Sequence, residues 1–346
     1  MVAPRDGHPA VPEGARDADV AEVAGLLAGS GGYFAVASHH NPDGDALGSM
    51  LAMHRALVAA GHDSVMCHPD PDAVLPEFAF MFRDGETVGH NPPADAARRT
   101  LVAVDCASAQ RLFDIPGAPH EPFASLINID HHHDNTRYGD VNLVAPTASS
   151  AAEVVFQVIE AAGWPVTEDL ATPLYVGLVT DTGRFGYSNT GEEAHRVAAA
   201  LIRAGLDVHE VSRQLYERQP LGRMLLAARA LQGMRSVAGG RLRLAVLGPD
   251  DYEAAGSDDS EGIVELMRSI EGTVAAGLAR RQASGWYRVS LRSTTDALDV
   301  SAIAREEGGG GHKAAAGFST QRGIDDLMAW MERRVMDQLD GPGGRG

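Results

Sequence analysis

Four short clusters of Asp and His each stand directly after an apolar run, and this placement constrains the fold more than any other feature. One is Asp130-His131-His132, which closes the run Ser125-Leu126-Ile127-Asn128-Ile129. Another, His39-His40-Asn41-Pro42-Asp43-Gly44-Asp45, follows Tyr33-Phe34-Ala35-Val36-Ala37. Asp105 follows Leu101-Val102-Ala103-Val104, and Asp181 follows the apolar stretch 174–180. Short apolar runs bounded by turn residues read as buried strands. Open α/β sheets place their chemistry just outside the carboxyl ends of such strands. Carboxylates gathered with imidazoles describe a site for divalent metals.

The rest of the pattern agrees with an α/β architecture. Runs at 33–38, 64–67, 101–105 and 125–130 read as strands. Stretches at 17–27, 46–60, 151–162, 169–180, 192–203 and 208–218 read as helices, and the second closes at Gly61. This alternation implies a mainly parallel, helix-covered sheet. Near 219–222 the character changes. Residues 221–231 read as a linking helix, and 241–247, 273–280 and 286–293 as antiparallel strands with one covered face. Helices at 300–306 and 324–338 flank the run Gly308–Gly311 and complete a smaller α+β domain. The expected division is a disordered tail at 1–16, a metal-binding domain at 17–218, a linker helix at 219–231, the second domain at 232–340 and a tail at 341–346.

Charge narrows the partners. The chain of 346 residues carries a formal −18. Residues 1–218 hold 13 basic against 30 acidic residues, whereas 219–346 hold 16 against 17. A long nucleic acid, duplex above all, would meet repulsion from the first part, since polymer binding needs many Lys and Arg contacts to phosphate. A small anion meeting metals and a local arginine cluster would not. No apolar run approaches the ~20 residues of a membrane span. No signal peptide opens the chain, and Cys67 and Cys106 stand in no metal-type spacing; both fit a cytoplasmic location. Homodimerisation is compatible with the sequence and not fixed by it.

In the first cluster, His39, Asp43 and Asp45 are spaced i, i+4, i+6 across the turn that Pro42 and Gly44 force. They could share one space as ligands, or Asp43 could simply cap the following helix. Oxygen ligands mixed with imidazole suit Mn²⁺, with Mg²⁺, Co²⁺ or Fe²⁺ as alternatives, and the lack of thiolates argues against a structural zinc site. Asp105 and Asp181 are each uninformative alone. Four carboxylates brought together cannot all ionise cheaply without cations, and two divalent metals would resolve the repulsion.

The ordered set HxxxDxD, lone Asp, DHH and fourth Asp resembles the DHH phosphoesterase superfamily. The segment Gly308-Gly309-Gly310-Gly311-His312-Lys313-Ala314-Ala315-Ala316-Gly317-Phe318 resembles the signature of its DHHA1 domain. The whole pattern runs from about 20 to 340 and is most similar to the compact two-domain NrnA-like branch, oligoribonucleases that are also phosphatases of 3′-phosphoadenosine 5′-phosphate. The resemblance implies an active site in an interdomain cleft holding two Mn²⁺. His39 and Asp43 would hold one ion, Asp45, His131 and Asp181 the other, and Asp105 would bridge both. Asp130 would orient His131 from behind, and His132 would meet the scissile phosphate. His40 and His133 match no required position. In the second domain Arg292 would grip a terminal phosphate, and Gly309, Gly310, Gly311, His312 and Lys313 would contact substrate, whereas Arg280, Arg281 and Arg288 read as solvated strand faces. The expected substrate is short RNA or a small nucleotide. The rivals are a cyclic di-AMP (or pApA) phosphodiesterase of the same architecture, a manganese pyrophosphatase, a RecJ-like exonuclease, and a non-catalytic nucleotide-binding regulator. The last sits poorly with a complete set of six ligands.

Overall fold

Three of the four apolar runs that precede the acidic clusters become neighbouring strands of one parallel sheet, and the fourth, 174–180, lies in a helix. A computed structural model describes residues 14–29, 31–69, 76–90, 92–112, 122–295 and 297–340, and the chain divides into two units, Met1–Glu217 and Arg218–Gly346. The tails expected at 1–16 and 341–346 lie outside the described residues except for 14–16.

The first unit runs β1 (Arg16–Asp17), α1 (Val20–Leu27), β2 (Tyr33–Ala37), α2 (Gly44–Ala59), β3 (Asp63–His68), β4 (Val88–His90), β5 (Thr100–Val104), α3 (Ala109–Leu112), β6 (Ser125–Asp130), β7 (Val141–Val144), α4 (Ala151–Ala161), α5 (Glu168–Asp181), α6 (Glu192–Arg203) and α7 (Val208–Ser212). Among the described residues its sheet has the order β1-β7-β6-β5-β2-β3-β4, with every neighbouring pair parallel. Arg16, expected in the leading tail, instead pairs with Val141. Past Thr100 the central strand β5 is apolar because both its faces are covered. Val102 and Val104 enter the core with α1, α2, α4 and α5, while Leu101 and Ala103 pack with Ala109 and Leu112 of α3. Each such fully buried Leu or Val contributes ~1.5–3 kcal/mol.

Two features position the site. From β2 the chain winds outward through β3 to β4, whereas β5 lies on the other side of β2. The order therefore reverses between β2 and β5, and such a switch point leaves a crevice at the carboxyl ends. The second feature is the close approach of α5 to α2. A Cβ on Gly48 would lie 2.3 Å from the Pro173 carbonyl oxygen, so the two helices meet backbone to backbone. The helix expected at 208–218 continues past Ser212 as a π turn at Arg213–Glu217.

The second unit runs α8 (Leu221–Gln232), β8 (Arg235–Val237), β9 (Leu242–Leu247), α9 (Pro249–Ala255), α10 (Ile263–Arg268), β10 (Ala275–Arg281), β11 (Tyr287–Ser293), α11 (Val300–Glu306), β12 (Gly310–His312), β13 (Ala315–Thr320) and α12 (Ile324–Asp340). The sheet order is β12-β13-β11-β10-β9-β8. The expectation of antiparallel strands fails at one pair: β9 and β10 run parallel. Two helices lie between them, a crossover of the length that parallel strands require, whereas β10 and β11 are joined by a short turn as a hairpin. The helix expected as a linker packs within this unit, burying Leu226 and Ala230 against Ala245 and Leu247 of β9. Among the described residues no helix is long and apolar enough to cross a membrane.

Candidate metal centre

Each acidic cluster is aimed by the element that ends or begins at it. At the exit of β2, Asn41 takes φ 55° and Asp43 becomes the N-cap of α2, its Oδ1 accepting the Asp45 and Ala46 N–H groups at 3.0 and 3.1 Å. The capping role left open by the sequence is therefore real, and the carboxylate still has an oxygen near His39 and Asp105. Asp45, in the first turn of α2, accepts the Ala151 N–H at 2.6 Å through Oδ2 and the Ala152 N–H at 2.9 Å through Oδ1. The Ser49 hydroxyl donates to Oδ1 at 3.2 Å. The positive N-terminus of α4 thus fixes this buried carboxylate. At the exit of β5, Asp105 adopts φ 52°, a left-handed conformation that costs a non-glycine residue ~1–3 kcal/mol. Asp181 is different in kind: it ends helix α5, not a strand.

These side chains converge. His39, Asp43 and Asp105 place ligand atoms within 4.8 Å of one another, and so do Asp45, His131 and Asp181. Asp105 also groups with Asp130, His131 and His132, which puts it in contact with both sets. His131 Nε2 lies 3.8 Å from Asp45, 3.6 Å from Asp105 and 3.6 Å from Asp181; His39 Nε2 lies 3.5 Å from Asp105. The rings are held from behind. His39 Nδ1 donates to the His40 carbonyl at 2.9 Å, and His131 Nδ1 faces the Ala148 carbonyl at 3.4 Å. A carbonyl can only accept, so each Nε2 is the nitrogen left to meet a cation.

The electrostatics show strain that a cation would relieve. Burial, then the charges of Asp105 and Asp181, push the Asp45 carboxyl well above its usual range. Burial and Asp105 raise Asp181 to about 7. Burial alone would lower His131 and also raise Asp105. The attraction between them, 3.6 Å apart, together with the charges of Asp45 and Asp181 on His131 and of His39 on Asp105, outweighs it, lifting His131 to about 10 and holding Asp105 well below the ordinary carboxylate. His39 is raised in the same way, since Asp105 overcomes its desolvation. Asp105 Oδ1 is buried with no hydrogen-bond partner. Buried carboxylate oxygens normally have one. An orphaned oxygen between two His/Asp groups of ligand type fits divalent metal.

Asp130 departs from expectation. Its Oδ1 accepts the His131 backbone N–H at 2.8 Å but holds the ring of His132, not that of His131, through Nδ1 at 2.8 Å. The reason is local: the strand ends at Asp130, and the turn folds the second histidine back over the carboxylate. Asn135, unremarked in the sequence, donates to Asp130 Oδ2 at 2.5 Å and to the Cys106 carbonyl at 3.2 Å, and accepts from Asn128 at 3.0 Å. The only sequence signal was a polar residue, Asn128, inside an otherwise apolar strand. His40 and His133 are exposed.

The other expected site residues belong to the second unit. Arg292 donates to Glu265 of α10 at 2.7 Å. The glycine run is no loose loop, because Gly310–His312 forms an edge strand on β13. A Cβ on Gly309 would sit 2.2 Å from the Gly317 carbonyl oxygen, so side-chain-free backbone is required there for packing. Lys313 is exposed, and the His312 side chain lies outside the described residues.

Comparison with known proteins agrees with this geometry. Residues 34–178 match the model of the DHH family, N-terminal domain, and residues 242–337 the DHHA1 domain. The chain is 37% identical over 317 residues to the bifunctional oligoribonuclease and PAP phosphatase NrnA of Thermus thermophilus, covering 92% of each chain. The NrnA of Bacillus subtilis is 28% identical over 309 residues, covering 87% of this chain and 92% of that one. The fold matches an exopolyphosphatase-related protein from Bacteroides fragilis with a TM-score of 0.82 at 21% identity, covering 92% of this chain and 96% of that one.

Proposed function

The chain belongs to the DHH family of phosphoesterases, with a DHHA1 domain following the DHH domain, and on that footing we propose that it hydrolyses short oligoribonucleotides to mononucleotides and removes the 3′-phosphate of 3′-phosphoadenosine 5′-phosphate. The observation that carries this reading is the orphaned Asp105 oxygen shared between two His/Asp groups. His39 and Asp43 are assigned to one Mn²⁺, Asp45, His131 and Asp181 to a second, and Asp105 to both, with Mg²⁺ or Co²⁺ as substitutes. Bound there, the metals supply the charge that makes a water nucleophilic at neutral pH and that offsets the charge gathering on the phosphoryl oxygens.

The residues do the remaining work. The carbonyls of His40 and Ala148 keep His39 and His131 in the tautomer that offers Nε2 inward. The helix α4 N-terminus keeps Asp45 in place, so the acidic set is preorganised. Asp130 holds the His132 Nδ1–H, which turns the Nε2 edge outward and favours the imidazolium: burial would lower its pKa, but Asp130 raises it. A charged His132 is suited to donate to a non-bridging or leaving oxygen. In the second unit Arg292, pinned by Glu265, is suited to a terminal phosphate through its remaining N–H groups.

The test is a hydrolysis panel with Mn²⁺: a 5′-phosphorylated diribonucleotide, a 20-mer RNA, cyclic di-AMP, 3′-phosphoadenosine 5′-phosphate and pyrophosphate, with Asp105→Asn as control. Fastest turnover of the dinucleotide, lost in the variant, supports the reading. Fastest turnover of cyclic di-AMP moves the substrate, and no turnover of any substrate ends the enzyme reading.

A further inference from the structure

Asp45, His131 and Asp181, the ligands of one proposed ion, are all tied to a single short stretch of chain, 148–152, on the approach to α4 and in its first turn. Ala148 offers its carbonyl to His131 Nδ1 at 3.4 Å. The Ala151 and Ala152 N–H groups hold the two Asp45 oxygens. Ser149 stands between these contacts, and its carbonyl accepts the side-chain amide of Asn189 at 2.8 Å. The other hydrogen of that amide goes to the Asp181 carbonyl at 3.1 Å. Both partners can only accept, so the amide nitrogen is the atom that faces them. The stretch is itself pinned. Buried Glu153 accepts the Ser149 N–H and hydroxyl at 3.2 and 2.5 Å, and the Ser150 hydroxyl accepts the Glu153 N–H at 3.1 Å. The ligands of the other proposed ion are held elsewhere. The His39 ring leans on the His40 carbonyl, and the His39 carbonyl accepts from His68 Nε2 of β3 at 2.8 Å. Asp43 is fixed by the first turn of α2, and the Asp105 N–H donates to the Ile129 carbonyl of β6 at 3.0 Å.

Bringing Asn189 back to Asp181 takes an unusual turn. Gly183, Arg184 and Phe185 adopt φ 54°, 62° and 61° in succession. Each non-glycine residue in this region costs ~1–3 kcal/mol and persists there only where its surroundings impose it. Here they do. The buried Thr182 hydroxyl accepts the Phe185 N–H at 3.1 Å and donates to the Leu178 carbonyl at 2.7 Å. The Phe185 ring stacks on His195 of α6 with centroids 5.0 Å apart, and the Tyr187 ring fills the space beside Gly183. The reversed chain returns Asn189 to the end of α5. Asn189 is an exposed residue, so what it contributes is the bridge between two carbonyls and not core packing.

We infer that Asn189 is a positioning residue for one proposed ion and not for the other: by bridging Ser149 and Asp181 it locks the end of α5 to the stretch that already holds Asp45 and His131. This rests on the two-ion reading and divides it into two separately anchored halves that share Asp105. Without the amide, Asp45 and His131 keep their supports, and Asp181 alone is released.

Isothermal titration with Mn²⁺ tests this in two single-ion versions of the full chain. His39→Ala keeps the ion of Asp45, His131 and Asp181, and Asp181→Ala keeps the other. Adding Asn189→Ala weakens Mn²⁺ binding by about 10–100-fold in the first chain, the size typical of residues that act from behind a metal ligand, and leaves the second unchanged. Dependence on the background is what coupling between Asn189 and Asp181 requires. Asn189→Gln, which keeps the amide donor, recovers part of the loss. A loss of the same size in both chains makes Asn189 merely structural and overturns the assignment, and so does no loss in the first. If neither single-ion chain retains an ion, the two halves are not separately anchored and the assignment falls. No substrate enters these titrations, so the substrate reading stands or falls on the hydrolysis panel alone. A wild-type chain that takes up no Mn²⁺ overturns the assignment and the two-ion reading together.

Discussion

Replacing Gly177 by alanine sets two effects of opposite sign against each other at the centre of the first unit. Gly177 lies inside α5, where alanine is favoured over glycine by ~0.8–1.0 kcal/mol. Propensity alone therefore predicts a more stable protein. Space predicts the reverse. The new Cβ would lie 2.6 Å from Asp45 Oδ1 and 2.7 Å from Ala152 Cβ, whereas ordinary contact begins at 3.4 Å, so α5 or its neighbours must give by about 0.8 Å. Neither neighbour gives easily. Ala152 is in α4, and Asp45 Oδ1 is held by the Ala152 N–H and the Ser49 hydroxyl. Overpacking costs ~1–3 kcal/mol, and weakening a hydrogen bond to a buried carboxylate costs up to ~1.5–3 more. The net expectation is a loss of about 1–3 kcal/mol. At roughly 2–4 °C per kcal/mol for a unit of this size, calorimetry should record a drop of several degrees in Tm. Isothermal titration with Mn²⁺ should show affinity weakened by about 10–100-fold, because Asp45 is moved. Gly25→Ala is the control. That glycine is exposed in α1 with nothing within 4 Å of its Cβ position, so there propensity acts alone and Tm rises. A Gly177→Ala chain that melts at or above wild type, with Mn²⁺ affinity intact, would refute the packing argument.

Three further outcomes follow. Asp105→Asn keeps the fold, since asparagine tolerates the left-handed backbone, but lowers turnover by about 100-fold or more, beyond the ~10–100-fold typical of residues that act from behind a metal ligand; unchanged circular dichroism with near-normal kcat would remove Asp105 from the centre. Asn135→Ala frees Asp130 Oδ2 and lowers kcat by about 10–100-fold with little change in KM; an effect confined to Tm would make Asn135 merely structural. Burial alone would raise the Glu86 pKa, but its 2.6 Å bond to Arg55, the Arg83 backbone N–H and the two guanidinium charges together outweigh this and leave it lowered. Its stabilisation is thus complete above the unfolded value near ~4.3 and fades as pH falls through the folded one, so Glu86→Gln should cost several degrees of Tm at pH 7 and progressively less below pH ~4, and a gap constant with pH would refute the ion-pair account.

What could be read from the sequence was whatever depends on short-range pattern. The run 125–130 is found as β6 at those bounds, and the helix at 192–203 likewise, because apolar periodicity and flanking turns decide both. The metal cluster was legible because its members follow apolar runs, three of them strands and one, before Asp181, a helix. Less legible was anything set by a distant partner. Alternation in 241–247 and 273–280 shows a covered face but not direction, which the helices between them decide. Asp130 was assigned to the ring of His131 and holds that of His132 instead, since a turn of backbone makes the choice. Nothing along the chain marks Gly48 and Gly177 as the places where α2 and α5 touch. Arg280 read as solvated, yet it is half-buried and donates to Ser290 of the neighbouring strand, a partner not visible along the chain.

The reversal of strand order between β2 and β5 has a kinetic consequence. His39 and Asp105 are distant in sequence, and Asp181 more so, and they meet only when β2, β5 and β6 are aligned and α5 has docked. Closing such long loops must come before any ligand set is complete. A partly folded chain therefore has no divalent site to fill, and a metal that binds there should engage late, after the rate-limiting step of folding. Contacts absent from the transition state leave refolding rates alone and slow escape from the native basin. Manganese should accordingly lengthen the lifetime of the folded first unit without making it form any faster.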